Sequence, residues 1–158
     1  MKLRDSLLQH DSIVLQAVAR DWQEAVALGC ERLQRAGVVD ERYHPAILRN
    51  VATHGPYFLL APGIAMPHAR PQDGALQNGF ALVTLATPVC FGDPDNDPVD
   101  ILVTLAAVDA RSHSQEGIMQ VVALFDDETN FDRLRACRSP QQVIALLDAV
   151  LAAQVKPI

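Results

Sequence analysis

The sequence predicts an α/β fold: one mixed, mostly buried β-sheet with helices on both of its faces. Two near-continuous apolar runs, residues 79–87 and 99–107, are rich in valine, leucine and threonine, which is typical of central strands buried on both faces. Apolar residues recur at helical spacing before and after these runs. A chain of 158 residues, 49% of them apolar, is long enough to enclose one core. We therefore expect residues 1–158 to form a single domain.

The first elements are a strand and two helices. Residues 12–16 are apolar and β-branched, which favours a short strand. Asp21 is a predicted helix cap, and the helix that follows it should end near Gly37. A second helix is predicted over residues 45–53, because a proline suits its first turn and Gly55 stops it.

The remaining elements are a strand, a loop and a helical last third. Residues 57–61 predict a short strand, and residues 92–98, GDPDNDP, predict a loop between the two central strands. Ser112 with Gln115 matches a capping box at the start of the helical part. Ser139, followed by proline, is a predicted cap of the C-terminal helix.

Charge and cysteine content argue against several classes of protein. The net charge is −6 and no cluster of lysine or arginine is present, which argues against nucleic-acid binding. The sequence has neither the apolar core of a signal peptide nor a run as long as a membrane span. Cys30, Cys90 and Cys137 are far apart and form no CxxC motif, so we expect a reducing, cytoplasmic setting without a disulfide framework.

One loop holds a histidine in an unusually stiff backbone. In residues 61–74, APGIAMPHARPQDG, Pro67 directly precedes His68 and Pro71 follows soon after it, with Gly63 and Gly74 permitting bends on either side. The loop follows a predicted strand, and ligands of sheet proteins with helices on both faces commonly bind beside strand ends. A stiff loop lowers the entropy that is lost when a group must meet a partner in one geometry.

The residues alone leave the role of His68 open between a functional imidazole and a packed or hydrogen-bonded side chain. No histidine lies at zinc-motif spacing from it, since His10, His44, His54 and His113 are scattered, so no metal is predicted. A serine nucleophile is not supported either, because the sequence contains no GxSxG motif.

A second segment, residues 109–117, DARSHSQEG, follows the second central strand and opens a helix. His113 should lie in its first turn, where the helix dipole disfavours imidazolium and favours a bound anion. If both strand-end loops converge, His68 and His113 could surround a transferable anion such as phosphoryl, together with Arg70, Arg111 and helix amides. Backbone amides after Pro67 could supply further charge stabilisation for its transfer.

These two segments carry a family resemblance. GIAMPHARPQDG resembles the phosphorylation motif of the IIA phosphocarriers of the bacterial sugar phosphotransferase system, in the fructose/mannitol class, and DARSHSQEGIMQVVALFDD resembles their second-histidine segment. The similarity extends over essentially the whole chain. It implies a mixed sheet flanked by helices and a protein-histidine phosphotransferase that needs no cofactor and no metal.

The resemblance also implies roles and partners. His68 would carry the phosphoryl group on its tele nitrogen, and His113 would stabilise that group, with Arg70 and Arg111 as further site residues; Arg49 has no clear counterpart in the family motif. The donor would be the phosphorylated histidine carrier protein and the acceptor a sugar-specific IIB protein, with a membrane IIC protein involved indirectly. A homodimer remains open.

The segment around His68 looks most like the branch associated with L-ascorbate and related sugar acids, since alanine and arginine follow the histidine. The alternative is a regulatory phosphoprotein of the nitrogen-related branch, whose phosphorylation state controls a partner. A small hydrolase that uses His68 as a base ranks below both.

The donor must touch the surface around His68, so we expect an apolar rim drawn from Ile64, Ala65, Met66 and Ala69, with Ile64 or Met66 exposed.

Overall fold

The computed structural model describes residues 2–154, and the side chains of all of these except 114–116 and 151–154. Its strands are β1 (Ile13–Ala17), β2 (Leu59–Ala61), β3 (Ile64–Ala65), β4 (Gly79–Val89) and β5 (Val99–Ala106). Its α-helices are α1 (Leu3–Gln9), α2 (Trp22–Arg35), α3 (Tyr43–His54), α4 (Met119–Phe125), α5 (Thr129–Ala136) and α6 (Pro140–Gln154). Within this part of the chain, no helix combines the length and hydropathy that a membrane span requires.

The strands form one mixed sheet with the order β1-β4-β5-β3-β2. Strands β4 and β5 pair antiparallel, with Leu82 opposite Val103. Strand β1 runs parallel to β4, and β3 runs parallel to β5. Strand β2 returns antiparallel to β3 at the edge. The predicted mixed α/β sheet with β4 and β5 as inner strands is confirmed.

Both faces of the sheet are covered, which explains the continuous apolar runs. Along β4, Ala81 and Val83 belong to a core shared with α2 and α3, whereas Phe80 and Leu82 belong to a core shared with α1, α4, α5 and α6. Successive side chains of a strand point to opposite faces, so a strand covered on both sides needs apolar residues at every position.

The predicted helix signals hold at most of the helix ends. The Asp21 carboxylate accepts a hydrogen bond from the backbone of Glu24 and caps α2. The Ser139 hydroxyl accepts one from the backbone of Gln142 at the start of α6. Helix α3 begins at Tyr43, two residues before the predicted start, and ends at Gly55, whose φ of 76° favours glycine.

The capping prediction for the helix after β5 is wrong at Ser112. The chain turns helical at Ala110, and the Asp109 carboxylate accepts the hydrogen bond from the backbone N–H of Ser112 at 2.7 Å. Asp109 therefore caps this helix, which runs as a π-helix over Ser112–Ile118 before α4 begins. The side chain of Gln115, the other half of the predicted box, lies outside the described residues.

The predicted apolar rim around His68 is also wrong. Ile64 and Met66 are 0% and 1% exposed, and Ala65 and Ala69 are buried as well. The reason is β3, a short strand between β2 and β5 that the sequence analysis did not predict. The side chains of β3 and of Met66, the residue after it, alternate between the two cores, with Ile64 and Met66 on one face and Ala65 on the other.

Candidate active site

A cleft of about 360 Å³ lies where the loops after β3 and β5 meet. Its lining residues are Asn50, Tyr57, His68, Ala69, Arg70, Pro71, Ala110 and His113. The ring centres of His68 and His113 are 4.6 Å apart, and the rings are inclined by 59°. The predicted convergence of the two histidine loops is therefore confirmed.

Backbone hydrogen bonds attach the His68 loop to the sheet. The N–H of Met66 donates to the carbonyl of Phe58 at 2.9 Å, and the N–H of Leu105 donates to the carbonyl of Pro67 at 3.0 Å. Both residues just before His68 are thus bound to neighbouring segments. Since Pro67 also has a fixed φ, the position of His68 is set by the sheet as well as by its own loop.

One nitrogen of the His68 ring is already occupied. Nδ1 lies 2.8 Å from the carbonyl oxygen of Met66. A carbonyl can only accept, so Nδ1 carries the proton and Nε2, the tele nitrogen, keeps its lone pair. Burial lowers the pKa of His68 to about 4, the Met66 carbonyl opposes that shift, and the nearby His113 adds to it. His68 is therefore a neutral imidazole at neutral pH, with Nε2 as its nucleophilic atom.

His113 lies in the first turn of its helix, as predicted, and its backbone N–H donates to the carbonyl of Asp109 at 3.0 Å. Its Nε2 is buried and has no hydrogen-bond partner among the described residues. Burial lowers the pKa of His113, so this ring is also uncharged at neutral pH. An unpartnered ring nitrogen beside His68 can interact with an anion that arrives in the cleft.

The arginines occupy different positions. Arg70 lines the cleft, and its Nε lies 3.2 Å from a carboxylate oxygen of Asp73. Arg111 is exposed at the start of its helix and does not line the cleft. Arg49 is exposed and likewise does not line the cleft, although the next residue, Asn50, does.

Two of the backbone amides that follow Pro67 are occupied. The N–H of Ala69 donates to the Tyr43 hydroxyl at 3.1 Å, and the N–H of Arg70 donates to the Asp73 carboxylate at 3.2 Å. The expectation that these amides stabilise a bound anion is wrong for both of them, since each already has an acceptor.

Sequence reasoning missed Asn50 and Tyr57. The Tyr57 hydroxyl donates to the carbonyl of His68, and its ring meets the His68 ring edge-on, with centres 5.2 Å apart. Burial raises the pKa of Tyr57 to about 12, although a hydrogen bond from the Asn50 side chain acts in the opposite direction. Neither residue stands in a motif: Asn50 reaches the cleft on α3, and Tyr57 is brought to His68 by the pairing of the segment around β2 with β3.

Residues 6–150 match the family model described as phosphoenolpyruvate-dependent sugar phosphotransferase system, EIIA 2. The chain belongs to this family. EIIA proteins are phosphotransferase components of a phosphoryl-transfer relay, and this chain is therefore a component of such a relay.

Individual relatives agree over nearly the full length. The chain is 60% identical over 153 residues to the ascorbate-specific PTS system EIIA component of Shigella boydii serotype 4 (strain Sb227), covering 97% of this chain and 99% of that protein. A protein from Streptococcus mutans, described as a candidate PTS IIA (PtxA), has a TM-score of 0.92 at 38% identity, with 97% of both chains covered.

A solved complex contains a IIA domain together with a IIB protein. The IIA domain for mannitol from Escherichia coli, in complex with phosphorylated mannitol IIB, has a TM-score of 0.76 at 27% identity, covering 88% of this chain and 95% of that chain. EIIA components thus act together with IIB partners, and the cleft described above is the candidate phosphoryl-transfer site of this EIIA protein.

Proposed function

We propose that the chain accepts a phosphoryl group on Nε2 of His68 from the phosphorylated histidine carrier protein and passes it to a sugar-specific IIB protein. The observation that carries this proposal is the hydrogen bond between His68 Nδ1 and the Met66 carbonyl. It fixes the tautomer in which Nε2 is unprotonated, and burial keeps the ring neutral. A neutral imidazole with a defined free nitrogen is what in-line attack on phosphorus requires.

The transfer balances without a cofactor. The Nε2 lone pair forms the bond to phosphorus while the bond between phosphorus and the donor's histidine nitrogen breaks, and its electron pair stays on that nitrogen. Nδ1 keeps its proton, so the His68 ring becomes cationic beside the anionic phosphoryl group. The Met66 carbonyl continues to accept the Nδ1 hydrogen bond and stabilises this cation. In the second step the nucleophile of the IIB protein forms a bond to phosphorus while the bond between phosphorus and His68 Nε2 breaks, and its electron pair returns to Nε2, so that the ring is neutral again.

The other charged and polar groups of the cleft support the phosphoryl oxygens. His113 can place a ring N–H toward them, since its Nε2 has no hydrogen-bond partner among the described residues. Arg70 lines the same cleft and carries a permanent positive charge that its pairing with Asp73 only partly offsets. Arg111, which lies outside the lining, is proposed only as a contributor to the positive field at the helix start.

For the transported solute, we propose L-ascorbate or a closely related sugar acid. The support is the 60% identity with a protein named as ascorbate-specific, together with the alanine and arginine that follow His68. This similarity favours transport over the regulatory alternative. We further propose that residues 1–158 act as one EIIA domain in the cytoplasm, coupled through IIB to a membrane IIC protein. The homodimer stays a prediction.

The decisive test is the site of phosphorylation. The protein is incubated with phosphoenolpyruvate, the general enzyme of the system and the histidine carrier, and the acid-labile adduct is followed by intact mass. His68→Ala should abolish the adduct. His54→Ala, which changes an exposed histidine at the end of α3, is the matched control and should keep it. An adduct that persists in His68→Ala would refute the assignment.

A further inference from the structure

The peptide group between His68 and Ala69 is bound at both of its polar atoms by tyrosine hydroxyls. Its carbonyl oxygen, which belongs to His68, accepts a hydrogen bond from Tyr57. Its N–H, which belongs to Ala69, donates to the hydroxyl of Tyr43 at 3.1 Å. The chain contains two tyrosines in total, and both of them act on this one peptide group.

Each tyrosine is itself held in place. Tyr43 is fully buried on α3, and its hydroxyl donates to the carbonyl of Leu105, at the end of β5, at 2.5 Å. Tyr57 donates its own proton to His68, and Asn50 lines the cleft with it, where its side chain acts to lower the pKa of Tyr57.

The position of this peptide group matters for the imidazole. His68 lies beyond β3, so its peptide takes no part in a strand ladder that would orient it. The backbone before His68 is anchored through Met66 and Pro67, so a planar peptide that is bound after it holds the Cα–Cβ bond of His68 against rotation from both sides. A small rotation there would move Nε2 at the far end of the ring and weaken the Nδ1 hydrogen bond to Met66. Phosphoryl transfer depends mainly on such positioning.

We propose that Tyr43 and Tyr57, with Asn50 acting through Tyr57, are positioning residues that clamp the His68–Ala69 peptide and so aim Nε2 for phosphoryl transfer. The inference rests on the proposed function of His68 as the phosphoryl acceptor. It assigns no contact between these side chains and the phosphoryl group. Tyr43 fixes the buried side of the peptide, and Tyr57 fixes the side that faces the cleft.

The main test is Tyr57→Phe, which keeps the edge-on ring contact with His68 and removes only the hydroxyl. We expect the single-turnover rate of transfer to and from His68 to fall about ten- to a hundredfold, as for a catalytic group that is misplaced by a fraction of an ångström. The KM for the phosphorylated donor should change less than about twofold, because no docking contact is altered. Thr53→Ala, which removes a side-chain hydrogen bond on α3 to the Arg49 carbonyl, is the matched control and should keep the wild-type rate.

A second measurement separates positioning from a direct role and needs no phosphoryl transfer. The ¹⁵N shifts of the His68 ring report which nitrogen is protonated. In the unphosphorylated wild type they should show one tautomer, with the proton on Nδ1. In Tyr57→Phe the two shifts should move toward each other as the Met66 bond is partly lost. A slower rate with unchanged ring shifts would overturn the proposal, because Tyr57 would then act on the phosphoryl group itself.

Asn50 gives a third, independent check. If Asn50 acts through Tyr57, Asn50→Ala should slow transfer in the wild type and add nothing in the Tyr57→Phe background. A further drop in the double variant would overturn its place in the clamp. Wild-type transfer rates in Tyr57→Phe would overturn the clamp as a whole. Failure of the proposed function would give a different result, because His68→Ala would then still be phosphorylated. The ¹⁵N shifts of the His68 ring need no phosphoryl transfer, so they would still test the clamp.

Discussion

His68 and His113 share one cleft but differ in how their ring nitrogens are occupied. His68 has Nδ1 bound to a carbonyl, which leaves Nε2 as a nucleophile, whereas Nε2 of His113 is buried without a partner among the described residues. A buried nitrogen without a partner carries a free-energy cost that a bound anion can remove. The two rings therefore suit different tasks, and a phosphoryl group on His68 would give His113 the partner that it lacks.

We predict that the pKa of His113 rises when His68 is phosphorylated. Burial lowers that pKa in the unphosphorylated protein, and an anionic group on a ring whose centre is 4.6 Å away favours the protonated form. A histidine titration by NMR, with and without the phosphoryl group, measures the shift.

His113→Ala should slow transfer roughly tenfold to a thousandfold, as expected for one lost polar contact in the transition state. An unchanged transfer rate would remove His113 from the site.

Among the individual residues of the cleft, the sequence predicted those that stand in motifs and missed those that do not. His68 and His113 were found because each follows a strand, in a stiff loop or a helix start. Asn50 and Tyr57 carry no such signal, since Asn50 reaches the cleft through the packing of α3 and Tyr57 through the pairing of β2 with β3. The buried contacts of Ala69 were missed for the same reason, because its acceptor, Tyr43, is distant in sequence.

At the scale of elements, long apolar segments were predicted well and short ones were not. Strands β4 and β5 are long enough to show their pattern, and both were predicted to within two residues at each end. Strand β3 has two residues, too few to show any periodicity, yet it lies inside the sheet and decides which side chains are buried. That is why the apolar residues before His68 form core rather than the predicted rim.

Helix α2 approaches the sheet closely at Gly29, and this contact gives a prediction at the same scale. A Cβ at position 29 would lie 2.5 Å from the Thr104 hydroxyl oxygen and 3.3 Å from Thr104 Cβ. Gly29→Ala should therefore destabilise the fold by about 1–3 kcal/mol through overpacking, despite the roughly 1 kcal/mol that alanine contributes within a helix. Denaturant unfolding measures the change.

The control is Gln34→Ala on the exposed side of the same helix, which should stay within about 0.5 kcal/mol of wild type. Thr104→Ala in the Gly29→Ala background should recover part of the loss, since it removes the clashing oxygen. That oxygen has no hydrogen-bond partner among the described residues, so its removal breaks no bond. Additive losses in the double variant would show that the contact is not the cause.

At the scale of the whole molecule, the docking surface must be sought away from the buried residues before His68. Met119 and Val122, on the helix that continues from His113, are large apolar residues that are 63% and 51% exposed. Val122 also lines a groove of about 630 Å³ with Leu60 of the edge strand β2. Exposed apolar residues that lie together on a surface are typical of protein–protein contact.

We therefore predict that the donor carrier contacts Met119. Met119→Glu should raise the KM for the phosphorylated donor about tenfold and leave the single-turnover chemistry unchanged, because a charge is placed in an apolar contact remote from the reacting atoms. The fold should survive, since the side chain is exposed. Val18→Glu is the matched control: Val18 is 75% exposed, just beyond β1 at the opposite edge of the sheet, and its variant should keep the wild-type KM. If Met119→Glu keeps the wild-type KM, the donor docks on another face, and Met119 is not part of its contact surface.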